Sequence, residues 1–284
     1  MQQKSIGKRI WELIYPLFIY FGATFVVEGI VVMGYYMLHF QEMMEAAQST
    51  QTMMEYALET SQVLLKYSVE MTAGAALLAL PFLIWIKCVD DKKEKRAGVV
   101  QNRKAPLSKY VWIAGISIPL TVALNNLLIL SNLARYSAAY QETADVLYTP
   151  SLLVQVVCLG IIVPITEEFV FRGLMYKRMR RSATARKAII SSAVFFGIYH
   201  GNLIQMIYGI ICGLLLAYLY EKYGSIKAPI LAHILMNLTS VLLTDVDAFT
   251  WMFTRPMRMA VITVACATLA STVFLTIQKI EEKP

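Results

Sequence analysis

The stretch IIVPITEEFVFRGLM, Ile161 to Met175, sets two adjacent glutamates and an arginine inside an otherwise apolar run. A carboxylate near the middle of a bilayer costs roughly 2.5 kcal/mol or more, so such a cluster reads as a site with a nearby partner. On a helix, Glu167 and Glu168 point about 100° apart. Arg172 follows Glu168 by four residues, the spacing of an intrahelical ion pair. The expected division of labour is Glu168 with Arg172, while Glu167 faces a cavity.

The remainder of the chain explains why that run belongs in a membrane. Its 284 residues are 57% hydrophobic and 16% charged, and the mean hydropathy is +0.55. Soluble domains carry about 25% charged residues. The expected fold is an all-α, polytopic transmembrane bundle with no separate soluble domain. Eight spans are expected, over approximately 11–38, 69–86, 110–133, 148–175, 188–200, 203–220, 226–243 and 257–277. With the N-terminus inside, 21 of the 26 Lys and Arg lie in inner segments, four lie outside and Arg172 sits within a span. That asymmetry puts both termini in the cytoplasm. It also accounts for the net charge of +7 without nucleic acid. Cys88, Cys158, Cys212 and Cys266 are far apart, with no paired spacing for a disulfide framework or a zinc ribbon. The opening MQQKSIGKRIWELIYPLFIYFG is basic then apolar, yet the apolar run continues to about Leu38 without a small-residue cleavage site. It is read as a retained first span.

Three regions follow: 1–147 with three spans, 148–243 with the polar motifs, and 244–284 with the last span. The loop at 39–66 is rich in Met and Glu and free of Gly and Pro. It reads as an outer amphipathic helix, a helical hairpin or a solvated spacer. Residues 188–220 are too few for two full crossings and a turn, so the turn at Gly201–Asn202 should lie below the outer surface. The pairs Gly197/Gly201 and Gly209/Gly213 have the spacing of close helix packing. Glu28 in the first span and Asn125–Asn126 in the third are read as helix bridges.

Only three histidines occur, His39, His200 and His233. His233 and Asn237 share a helical face, as do Phe196 and His200. Counting from the inner ends, Glu167, His233 and His200 lie at depths of about 13, 10 and 18 Å. They can converge in one cavity open to the cytoplasm. A buried carboxylate beside cations can act as a general base. An imidazole and an amide nearby can orient a water and stabilise an oxyanion. No Ser–His–Asp or Cys–His arrangement is suggested, so water is the expected nucleophile. Each motif alone has a structural explanation; together, in this order on three spans, they point to chemistry.

The set Glu-Glu-x-x-x-Arg, Phe-x-x-x-His and His-x-x-x-Asn resembles the CPBP family of intramembrane endopeptidases. These are the CAAX proteases and bacteriocin-processing enzymes, also called Abi, related to type II CAAX prenyl endopeptidases. The resemblance runs from about Tyr148 to Leu243, including GLLLAYLYEKYGSIKAPILAHILMN. It implies a catalytic core at 148–243 in which Glu167 activates water. Glu168 and Arg172 would support it or hold substrate, His200 would position the water, and His233 and Asn237 would stabilise the oxyanion. It implies a bacterial cell-membrane protein that hydrolyses peptide bonds of a membrane-associated or lipidated peptide or protein, a CAAX-type tail or a bacteriocin or signal-peptide precursor, entering from the inner leaflet or the cytoplasm. Metal-free glutamate catalysis without a cofactor is the expectation. The alternative is a zinc site of Glu167, His200 and His233, although there is no HExxH. A non-catalytic scaffold of the same fold, in bacteriocin immunity or signalling, is the rival reading. A small transporter is a weaker one, because the two halves show no internal repeat.

Overall fold

The computed structural model describes residues 5–100 and 102–281, and those residues contain helices and no strands. Helix α1 spans Ile6–Leu38 and starts where the Ser5 side chain accepts from the Lys8 amide. Its 33 residues extend about 50 Å, well beyond a ~30 Å hydrocarbon core. The short α2, Phe40–Ala46, and α3, Thr50–Lys66, form a helical hairpin over the loop. Its side chains are mostly exposed, and Thr60 is the buried residue of α3. Helix α4 runs Ser68–Arg96, and α5, Val111–Leu130, follows a 3-10 turn. Outer segments α6, Leu133–Tyr136, and α7, Ala138–Tyr148, lead to α8, the continuous Leu152–Arg180. Then come α9, Ala185–Tyr199, α10, Leu203–Tyr223, and α11, Lys227–Asp245. A short α12, Ala248–Phe253, and α13, Pro256–Gln278, complete the chain.

Seven helices among the described residues are long and apolar enough to cross a membrane: α1, α4, α5, α8, α10, α11 and α13. The eighth expected span, α9, has 15 residues, about 22 Å of helix. The shortage of chain at 188–220 falls wholly on α9, while α10 keeps 21 residues. The turn between them uses Gly201 at φ +81°, where glycine alone is unstrained.

Helix α8 is the central element. Half of its most apolar window is buried, against 11% for α1, so α1 is peripheral and α8 the hub. Phe171, Leu174, Met175 and Tyr176 are sealed in the main core cluster. Small residues on α4, Ala73, Ala75, Ala76 and Ala79, are buried as well. They let α8 approach until Thr166 Oγ1 donates to the Ala76 carbonyl at 3.2 Å. Without a hydrophobic drive between helices in lipid, such close packing holds the bundle.

Polar bridges supplement the packing. Asn125 Nδ2 donates to Tyr208 and to Ser240, both at 3.2 Å, tying α5 to α10 and α11. Asn126 Nδ2 donates to Thr263 Oγ1 at 3.0 Å, tying α5 to α13. Both bridge helices as expected. Glu28 differs: it is exposed on α1. The reason is that α1 is buried against the bundle only at Pro16, Tyr20 and Ala23, and Glu28 lies beyond them. At the inner ends of α4 and α8, Lys177 pairs with Asp91 and Glu94, Arg178 with Asp90, and Arg181 with Glu94.

Candidate active site

Glu167 and Glu168 sit in the middle of α8, between two π-helical stretches, Gln155–Ile162 and Phe169–Tyr176. Widened turns of this kind recur at functional sites. For the first stretch the local cause is Pro164, which has no N–H to give. The Val163 amide donates to the Cys158 carbonyl, five residues back. In that register the Leu159 carbonyl would need the missing donor of Pro164. Asn237 Nδ2 supplies it from α11, at 2.9 Å.

The two glutamates are unequal. Glu168 is fully buried, whereas Glu167 retains 6% exposure. Arg172 Nη1 donates to Glu168 Oε1 at 2.7 Å, the pair expected from the four-residue spacing. Arg172 is also fully buried, and its Nη2 donates to the Gly213 carbonyl at 3.2 Å. The guanidinium thus divides between α8 and α10 rather than forking onto one carboxylate. Its Cζ lies 4.3 Å from the centroid of the Phe196 ring, a desolvated cation–π contact.

His233 links the pair to Glu167. Its Nδ1 lies 2.9 Å from Glu168 Oε1 and its Nε2 lies 3.7 Å from Glu167 Oε2. A carboxylate only accepts, so Nδ1 carries the proton toward Glu168 and Nε2 is the atom presented to Glu167. Four groups are involved. With Glu167 and Glu168 ionised and Arg172 charged, the buried set sums to −1, and one proton held between Glu167 and His233 brings it to zero. Unbalanced charge in such a setting is costly.

His200 ends α9, and its Nδ1 donates to the Phe196 carbonyl at 2.7 Å. That bond leaves Nε2 as the free ring nitrogen. The Phe196 ring meets both imidazoles edge-on, at 4.8 Å for His200 and 5.5 Å for His233. Glycine makes this possible. A Cβ on Gly197 would lie 2.5 Å from the Met206 carbonyl, and one on Gly213 would lie 3.0 Å from Ala193 Cα. One on Gly209 would touch His200 Nδ1 at 3.4 Å. Helices α9 and α10 therefore meet backbone to backbone beside the site.

The structure brings Glu167, Glu168, Arg172, His200 and His233 into one cluster. Asn237 borders it, with its amide engaged by Leu159. His39 is elsewhere, on the outer side beside Glu42. Among the described residues, no three His, Cys, Asp or Glu side chains are gathered closely enough to hold a metal ion. Both Nδ1 atoms are taken by protein acceptors, which leaves Nε2 of His200 and of His233 as the ring nitrogens turned to other partners.

Two aromatics were not singled out from the sequence. Tyr20 on α1 stacks on Tyr199 with centroids 6.1 Å apart, and Tyr199 lies 5.7 Å from the His200 ring. Both tyrosines interact electrostatically with Glu167. Tyr199 adjoins the Phe-x-x-x-His motif and was open to notice. Tyr20 carries no local signal.

Residues 149–239 match the family Type II CAAX prenyl endopeptidase Rce1-like. A 105-residue stretch is 30% identical to "Putative membrane peptidase YdiL" of Bacillus subtilis (strain 168), covering 37% of this chain and 42% of that protein. The match thus spans less than half the length of this curated relative. No solved structure matches the chain. The segment 149–239 contains all seven residues of the three motifs and excludes Tyr20. With its apolar helices, the chain is a multi-pass membrane protein with a segment similar to the Rce1-like family.

Proposed function

We propose that this multi-pass protein, through its Rce1-like segment, is an intramembrane endopeptidase in which Glu167 activates water. The observation that carries the reading is the pairing of unequal glutamates. Glu168 is consumed by Arg172 and His233, while Glu167 has no partner within 3.5 Å in the hydrogen bonds of the cluster and keeps some access.

The separation of 3.7 Å between His233 Nε2 and Glu167 Oε2 is too long for a hydrogen bond, and one water at about 2.8 Å from each atom can touch both. Glu167 takes a proton from that water as its oxygen attacks the scissile carbonyl. The carbonyl oxygen becomes the oxyanion, and a proton on His233 Nε2 donates to it. Collapse breaks the C–N bond, and the departing nitrogen receives the proton held by Glu167. Peptide and water become an acid and an amine. His200 Nε2 helps orient the water, and the second N–H of Asn237 is free to assist the oxyanion. Arg172 and Glu168 position His233 rather than react. No step runs through a metal.

The substrate is a membrane-associated or lipidated peptide or protein tail that reaches the site from the inner leaflet or cytoplasm of a bacterial cell membrane. The test is cleavage of membrane-tethered peptides by the purified protein in liposomes, with products read by mass spectrometry. We expect chelator-resistant hydrolysis. Failure to cleave any tethered peptide overturns the activity. Stoichiometric zinc, lost together with activity in His200→Ala, overturns the metal-free route.

A further inference from the structure

A cavity of about 730 Å³ opens where the inner ends of α1, α4, α8 and α9 meet. None of the residues of the candidate active site lines it. The Lys and Arg asymmetry places it at the cytoplasmic face. Five cations line it: Arg9, Lys93, Arg178, Arg181 and Lys187. Arg178 and Arg181 are matched by Asp90 and Glu94. Glu94, one of two carboxylates in the lining, is also held by Lys177. Arg9, Lys93 and Lys187 have no ion-pair partner among the described residues, and all three are exposed. The positive end of α9, capped by Thr184, lies beside Lys187 and adds to the same field.

The wall changes character with depth. Leu13, Met179 and Phe195 are among the apolar residues of the lining. Phe195 is ten residues into α9, about 15 Å from its start. Cations thus surround the mouth at headgroup level and apolar side chains continue toward the acyl region. A soluble anion has use only for the first part of that surface. A lipid has use for both.

We propose that this cavity binds the phosphate-bearing headgroup of an anionic phospholipid of the inner leaflet. Arg9, Lys93 and Lys187 take the phosphate, and Leu13 and Phe195 receive the upper part of an acyl chain. Basic pockets between spans on the cytoplasmic side recognise such headgroups. The site is independent of the peptidase reading, since binding requires no catalysis.

The test uses the purified full chain in detergent micelles. Dioleoyl phosphatidylglycerol, dioleoyl phosphatidylcholine or inorganic phosphate is titrated in, and binding is read by native mass spectrometry and by thermal unfolding. Phosphatidylglycerol is expected to bind and raise the Tm, with the other two inert at the same concentrations. The combined variant Arg9→Gln, Lys93→Gln, Lys187→Gln is expected to weaken phosphatidylglycerol binding by at least about tenfold. Neutralising Lys104, Lys109 and Lys227, which lie outside the cavity, should leave it unchanged. Equal binding of phosphatidylcholine, reproduction of the effect by inorganic phosphate, or unaltered affinity in the triple variant overturns the proposal. If the triple variant does not fold, Lys93→Gln and Lys187→Gln are measured singly, and unchanged affinity in both has the same force.

Discussion

Glu168 Oε1 accepts from both Arg172 and His233, so truncating Glu168 strands a buried cation and releases the imidazole. Removing one partner of a buried pair costs about 3–5 kcal/mol. We therefore expect Glu168→Ala to lower the Tm in detergent by several degrees and to lose activity as well. Glu167→Ala should do the reverse, with activity lost and the Tm kept near wild type, because Glu167 closes no ion pair at salt-bridge geometry except the long contact to His233. A Tm loss in Glu167→Ala equal to that in Glu168→Ala would contradict this division. The Glu168–Arg172 pair was legible in the sequence because helical spacing fixes it. The link from His233 to both glutamates was legible only as a matching depth, since spacing says nothing about which spans are neighbours. Tyr20 was not legible, because 147 residues separate it from Glu167 and only packing of α1 against the core brings it in.

At the scale of elements, the site rests on how closely α9 and α10 approach. A methyl on Gly197 meets the Met206 carbonyl, a backbone atom that cannot swing aside. Overpacking of this kind costs about 1–3 kcal/mol. We expect Gly197→Ala to lower thermal stability by that order and to reduce activity by shifting His200. Gly22→Ala on α1, where a Cβ meets nothing within 4 Å, should change neither. Equal effects of the two substitutions would remove close helix approach as a cause. The small-residue spacing of Gly197, Gly209 and Gly213 announced this packing in the sequence. The role of Asn237 toward Leu159 did not show there, because it arises from a π-helical register around Pro164 that a simple 3.6-residue periodicity misses. The shortness of α9 was half legible: the residue count demanded a deficit, but not on which helix it would fall.

For the whole molecule, charge and hydropathy determine the arrangement across the bilayer. The inner ends of α4 and α8 are clamped by Asp90, Asp91 and Glu94 against Lys177, Arg178 and Arg181. The sequence showed these only as runs of mixed charge between spans. In a Cys88→Ser background, Ser182→Cys should resist a membrane-impermeant maleimide in intact cells, while Ser137→Cys should react. Labelling of Ser182→Cys and protection of Ser137→Cys would invert the bundle and move both the active-site entrance and the basic cavity to the outer side. In the proposed reaction a peptide reaches Glu167 from the inner leaflet, which leads to the most direct measurement. Wild type and Glu167→Ala, each shown to be folded by its Tm, are reconstituted in liposomes with a membrane-tethered peptide library, and product formation is followed by mass spectrometry. The account predicts cleavage by the wild type and none by Glu167→Ala; cleavage by Glu167→Ala at the wild-type rate would contradict it.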